Sequence, residues 1–198
     1  MRAFLGIGLP ADVRDAIVSS IAQVRGLHAP VAWTAQRNLH ITLYFLGEIS
    51  PERALLVERS MKVVASGIEP FSLTPEGGGA FPGTRNPRIL WVGFLEPLEL
   101  VRQLQQNMES ALSGAGFPRE DRPFHPHITV GRTRGALPPA WGERFFQALS
   151  GKRFGIVPVS SFTLYDSRLG PGGAVYTPLC DFRLERSARR EIREEKEP

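Results

Sequence analysis

Hydrophobic positions along the chain fall into two periods, and these define most of the elements. Arg2–Leu9 is an almost unbroken apolar run that predicts a strand, stopped by Pro10. Val13, Ala16, Ile17, Ile21 and Val24 then recur at helical spacing, until His28-Ala29-Pro30 ends the pattern. Asn38–Gly47 alternates as a strand does. Ser50-Pro51 is a helix start, serine as N-cap and proline at the first helical position, and the helix is expected to run to Ala65. Phe71–Thr74 and Arg88–Phe94 predict strands, and the segment between them, with Gly77-Gly78-Gly79 and Pro82-Gly83, reads as a loop. Leu98–Leu112 predicts a helix with Val101, Leu104, Met108 and Leu112 on one face. A loop over Gly114–Phe124 leads to a short strand, His127–Gly131, and then a helix, Pro138–Leu149. Phe154–Pro158, Phe162–Arg168 and Ala174–Leu184 predict three closing strands, with Gly170-Pro171-Gly172-Gly173 as the last turn. Strands and helices mix without strict alternation, so the expected class is α+β with mostly antiparallel strands.

Composition narrows the function classes. The chain has 198 residues, 42% of them hydrophobic, enough for a substantial core. No run of about 18 apolar residues is present, so no transmembrane helix is expected. Pro10, Asp12 and Arg14 interrupt the apolar start too early for a secretory signal. The lone Cys180 excludes an intramolecular disulfide and a cysteine metal cluster, and the cytoplasm is the expected compartment. Net charge is +4. The arginine excess fits either a polyanionic partner such as RNA or a genome that favours arginine. Residues 186–198 carry charges of both signs and are expected as a frayed helix or disordered tail, with 1–185 as one domain.

One pattern recurs. His40-Ile41-Thr42-Leu43 and His127-Ile128-Thr129-Val130 both read histidine, aliphatic, threonine, aliphatic. The chain has only 4 histidines, and a chance repeat of this kind has a probability on the order of 1%. On a strand, His40 and Thr42 share one face and Ile41 and Leu43 the other; the second copy behaves alike. Each copy buries its aliphatics and offers an imidazole and a hydroxyl. Two similar lobes facing each other would place two histidines and two threonines in one cleft. Two imidazoles titrating near neutrality suit acid–base catalysis, and hydroxyls can donate to phosphate oxygens.

Paired His-x-Thr-x motifs resemble those of the 2H phosphoesterases. The wider context is similar to the bacterial and archaeal RNA 2′,3′-cyclic phosphodiesterase branch, also called 2′-5′ RNA ligases. The likeness runs from Phe4 through Trp33, Asn38–Gly47, Pro87–Trp91 and Phe124–Arg132 to Leu164–Ser167 and Tyr176. The resemblance implies a bilobal, pseudo-two-fold symmetric α+β fold, with two mostly antiparallel sheets facing a central cleft and helices outside. It implies metal-independent hydrolysis of a terminal RNA 2′,3′-cyclic phosphate to a 2′-phosphate, and a reversible, ATP-independent 2′-5′ joining of RNA ends. His40 is then the proton donor to the departing 3′ oxygen and His127 the proton acceptor from water. Thr42, Thr129 and Arg132 hold phosphate oxygens. Strict alternation puts Arg132 on the face opposite His127, and a bend at Gly131 is what would bring it round. The implied partner is RNA with cyclic phosphate ends, such as tRNA fragments, bound by a monomer with no membrane, metal or cofactor.

Other features compete with these. His125 two places before His127, with His40, has the count of a three-histidine zinc site, which keeps metal catalysis open. The glycine triplet is followed by no Gly-Lys-Ser/Thr, so it is no phosphate loop. Phe124 is a candidate for base stacking. Trp141, beside Phe145 and Phe146, reads as core, and Trp91, alternating with Ile89, as a buried face. An RNA-end binding module with little chemistry, and a 2H enzyme for small cyclic nucleotides or 2′-5′ oligonucleotides, are the alternative functions.

Overall fold

The computed structural model describes residues 1–170 and 173–185, so the expected tail at 186–198 and the centre of the last turn lie outside the described residues. In chain order the elements are β1 (Arg2–Gly8), α1 (Ala11–Ser20), α2 (Ala22–Arg25), β2 (Val31–Trp33) and β3 (His40–Glu48). Next come α3 (Pro51–Ala65), β4 (Phe71–Leu73), β5 (Pro75–Phe81), β6 (Ile89–Phe94) and α4 (Glu99–Gly114). β7 (Ile128–Thr133), α5 (Pro139–Leu149), β8 (Val157–Val159), β9 (Ser161–Gly170) and β10 (Gly173–Arg183) complete the described chain. The expected first helix breaks at Ile21 into α1 and α2. Ser50 does cap α3, its hydroxyl accepting from the Arg53 amide at 3.3 Å.

The α+β class and the two-lobed plan hold. All pairing is antiparallel, in the order β10-β9-β1-β3-β7-β6-β5, with β2 also on β7; β4 and β8 form a separate ribbon. The two expected sheets are β10-β9-β1-β3 in the first lobe and β2, β7, β6 and β5 in the second. They are continuous through one point, since β3 and β7 share the single register pair Ile41–Ile128.

One hydrophobic core backs both halves. The predicted α4 face is buried: Val101, Leu104, Met108 and Leu112 are each 0% exposed. Trp141 stacks on Phe145 at 5.8 Å, and Trp33 lies 6.0 Å from Trp141, so Trp141 is core as expected. Phe145 itself is fully buried. Phe145→Ala is expected to cost about 3–5 kcal/mol of stability, read from the urea midpoint at unchanged slope.

One expectation is corrected. The glycine triplet is not a loop but the middle of β5, paired with β6 through Gly78–Val92 and Gly79–Trp91. The glycines are there for close approach. A Cβ on Gly78 would stand 2.3 Å from Leu149, and one on Gly79 2.2 Å from the Trp91 ring. Low strand propensity is overridden because α5 and the indole lie directly on this strand. The sequence pattern does not predict β2; its three residues fill the flank of β7 from which β3 diverges.

Candidate functional site

The site is built around the one pair that joins the lobes. Ile41 and Ile128 stand opposite each other, both fully buried, at the same place in the two tetrapeptides. Antiparallel pairing about that point sets His40 toward Thr129 and Thr42 toward His127. The alternation read from sequence therefore puts all four polar side chains on the open face, each partly exposed.

Arg132 joins them through a feature that strict alternation misses. Along β7, Trp91 pairs with Thr129 but Leu90 pairs with Gly131, so Val130 is an extra residue. This bulge resets the alternation. Paired residues share a face, so Arg132, opposite Ile89, lies on the side of Trp91 and Thr129. Its charge is close enough to depress the proton affinity of both His40 and His127. The first lobe repeats the device: Leu5 pairs with Tyr44 and Gly6 with Thr42, leaving Leu43 as the extra residue. Each bulge falls on the aliphatic residue just after the motif threonine. The position equivalent to Arg132 is Phe45, 54% exposed and 6.1 Å from Phe4.

Both imidazoles have a fixed tautomer. His40 Nδ1 lies 2.7 Å from the Asn38 carbonyl and His127 Nδ1 2.8 Å from the His125 carbonyl. A carbonyl can only accept, so each Nδ1 carries the proton and in the neutral ring each Nε2 is the basic nitrogen. His40 Nε2 sits 2.9 Å from the Thr42 hydroxyl. Asn38 is itself held: it is buried, and its amide donates to the Ala174 carbonyl of β10 at 2.6 Å.

Burial is the main cause that lowers both histidines below the ordinary 6.5; each carbonyl partner opposes it, and neighbouring positive charge adds to it. An acid–base pair needs one imidazole protonated and the other neutral. With both affinities below 6.5, kcat/KM is expected to follow a bell whose top lies on the acid side of 6.5. Above that pH it should fall about tenfold per unit. Stability has the opposite sense. Depressed folded-state affinities favour the fold above 6.5 and lose that contribution as pH falls, so Tm should drop on acidification through this range.

Aromatic rings wall each histidine. Phe4 lies 4.8 Å from His40, and Tyr176 meets it edge-on at 5.1 Å. Gly6 leaves the space, since a Cβ there would stand 2.8 Å from the Ile41 carbonyl oxygen and 3.4 Å from the His40 ring. Phe81 meets His127 edge-on at 5.1 Å, and Trp91 lies 6.3 Å away. Trp91 is thus a half-buried wall of the open face rather than the buried residue its alternation implied. Phe81 is not legible as a site residue while β5 reads as a loop. Phe124 is half-buried and packs against the core. His28 is exposed. Among the described residues, no cluster of three His, Cys, Asp or Glu side chains is arranged to hold a metal ion.

The sequence profile of the 2′-5′ RNA ligase superfamily matches residues 13–170. The chain belongs to that family. Curated relatives named RNA 2′,3′-cyclic phosphodiesterase include one from Archaeoglobus fulgidus, 34% identical over 92% of this chain and 99% of that protein. Another, from Escherichia coli, is 33% identical over 90% and 93%. Among solved structures, a protein of Thermus thermophilus superposes with a TM-score of 0.77 at 30% identity, over 93% of this chain and 98% of that one. E. coli LigT complexed with 3′-AMP gives a TM-score of 0.73 at 31% identity, with the same coverage. Both motifs lie inside the matched superfamily span, with Arg132 and the aromatic walls Phe81 and Trp91.

Proposed function

We propose that this superfamily member is an RNA 2′,3′-cyclic phosphodiesterase that opens a terminal cyclic phosphate to a 2′-phosphate. What carries the reading is the pairing of two tautomer-fixed histidines across Ile41–Ile128, each with its threonine and with Arg132 on the same face. His127 Nε2 takes a proton from water, and the oxygen attacks phosphorus. The P–O3′ bond breaks, and His40 Nε2 gives its proton to the departing 3′ oxygen. In the free protein Thr42 Oγ1 stands beside His40 Nε2, and the leaving oxygen takes that place. Thr42, Thr129 and Arg132 hold the non-bridging oxygens as charge builds. Proton carriers and anion donors are all side chains, so this division of labour calls for no bound cation.

The reading extends to RNA fragments such as cleaved tRNA as substrate, to a monomer, and to one folding unit over 1–185, which the shared core supports. No helix among the described residues is long and apolar enough to cross a membrane. The free thiol of Cys180 fits a reducing, cytoplasmic setting. A ribose 5′-hydroxyl in place of water gives 2′-5′ joining without ATP. The test is turnover of a short RNA ending in a 2′,3′-cyclic phosphate, with the product identified by phosphorus NMR. A 2′-monophosphate supports the reading; a 3′-monophosphate, or tight binding without turnover, contradicts it.

A further inference from the structure

The second lobe carries a ring that the hydrolytic mechanism does not use. The His125 side chain is exposed, yet it is braced on two sides. It meets Trp91 at 5.0 Å and 60°, and Phe81 edge-on at 5.6 Å and 84°. The same two rings also contact His127. Trp91 is in turn held flat on the β5 backbone, where only glycine at position 79 leaves it room. His125 is therefore an exposed planar group whose orientation is set before anything binds, and a braced ring loses little freedom on stacking.

In-line displacement fixes what such a ring can meet. The leaving oxygen departs on the His40 side, and with it lies the nucleoside that bears the cyclic phosphate. The nucleophile enters on the His127 side, bounded by Phe81, Trp91 and His125. Water has no use for a stacking platform there, but a nucleoside alcohol does. We propose that His125, braced by Phe81 and Trp91, is the stacking platform for an acceptor nucleoside whose 5′-hydroxyl replaces water. This rests on the assignment of His127 as base and His40 as acid.

The step balances without a co-reactant beyond the acceptor RNA. The 5′ oxygen gives its proton to His127 Nε2 and bonds to phosphorus. The P–O3′ bond breaks, and O3′ takes the proton of His40 Nε2. The products are a 2′-5′ phosphodiester and a free 3′-hydroxyl, and solvent exchange restores both histidines. The acceptor side then sets how often the enzyme joins rather than hydrolyses.

The experiment uses the full chain, an RNA ending in a 2′,3′-cyclic phosphate, and two acceptors in separate reactions. One is a dinucleotide with a free 5′-hydroxyl and a blocked 3′ end; the other is glycerol, an alcohol with no base. The readout is joined product over hydrolysed product, per molar acceptor. The wild type should prefer the dinucleotide by about tenfold or more, the scale of one base–ring stack. His125→Ala should erase most of that preference, and His125→Phe should keep it. No joined product, no preference over glycerol, or the same preference in His125→Ala would each overturn the inference while hydrolysis stands. An equal fall of hydrolysis and joining in His125→Ala would also overturn it, because the ring would then act through His127. Absence of hydrolysis in the wild type would instead remove the proposed function on which it rests.

Discussion

Replacing His127 by alanine is expected to lower kcat for cyclic phosphate hydrolysis by about 10²–10⁴-fold, the range for loss of a positioned acid or base. His40→Ala should cost a similar factor. The two should not multiply, because one proton enters through His127 as another leaves through His40 in the same displacement. Neither change should unfold the protein. Each imidazole is held above the buried Ile41–Ile128 junction by its backbone carbonyl and ring contacts, and the junction itself is untouched. KM should move far less than kcat, since the proposed phosphate donors Thr42, Thr129 and Arg132 remain in place. Steady-state kinetics of both single variants and the double variant, with circular dichroism as the check on folding, reads all of this.

The second large effect is expected at a glycine. A Cβ on Gly79 would lie 2.2 and 2.3 Å from two carbons of the Trp91 ring, well inside contact distance. Gly79→Ala therefore forces the indole off the strand. The displaced ring bears on Phe81 and His125 and, through them, on His127. A shift of about 1 Å at the base can cost about 10²-fold in rate. Gly79→Ala should thus lower kcat/KM by about that factor and change the tryptophan fluorescence. Gly83→Ala is the control, because a Cβ there meets nothing within 4 Å. Comparable losses in both variants would sink this assignment of Gly79.

The parts of the fold that can be read from sequence are those fixed by local periodicity. The α4 face of Val101, Leu104, Met108 and Leu112 repeats at helical spacing, and the Ser50 cap of α3 is a local signal. The two tetrapeptides are legible for the same reason: alternation along one strand puts His with Thr. What escapes is set by neighbouring strands. The extra residue at Val130 exists only relative to β6, so no pattern within β7 alone predicts that Arg132 turns back to the His127 face. Gly131 hints at a bend without fixing its direction. β5 escapes because glycines are poor strand formers, and only the overlying Trp91 and Leu149 account for them. With β5 missing, Phe81 has no place beside His127, and Trp91 looks like core.

Two paired histidines, with no bound metal, are proposed to open an RNA 2′,3′-cyclic phosphate to a 2′-phosphate. The most direct measurement is a parallel reaction of wild type and His127→Ala with such an RNA in excess chelator, followed by chromatography and phosphorus NMR. The wild type is expected to give 2′-phosphate and the variant almost none over the same time. Unchanged RNA with the wild type, or equal turnover by His127→Ala, would contradict it.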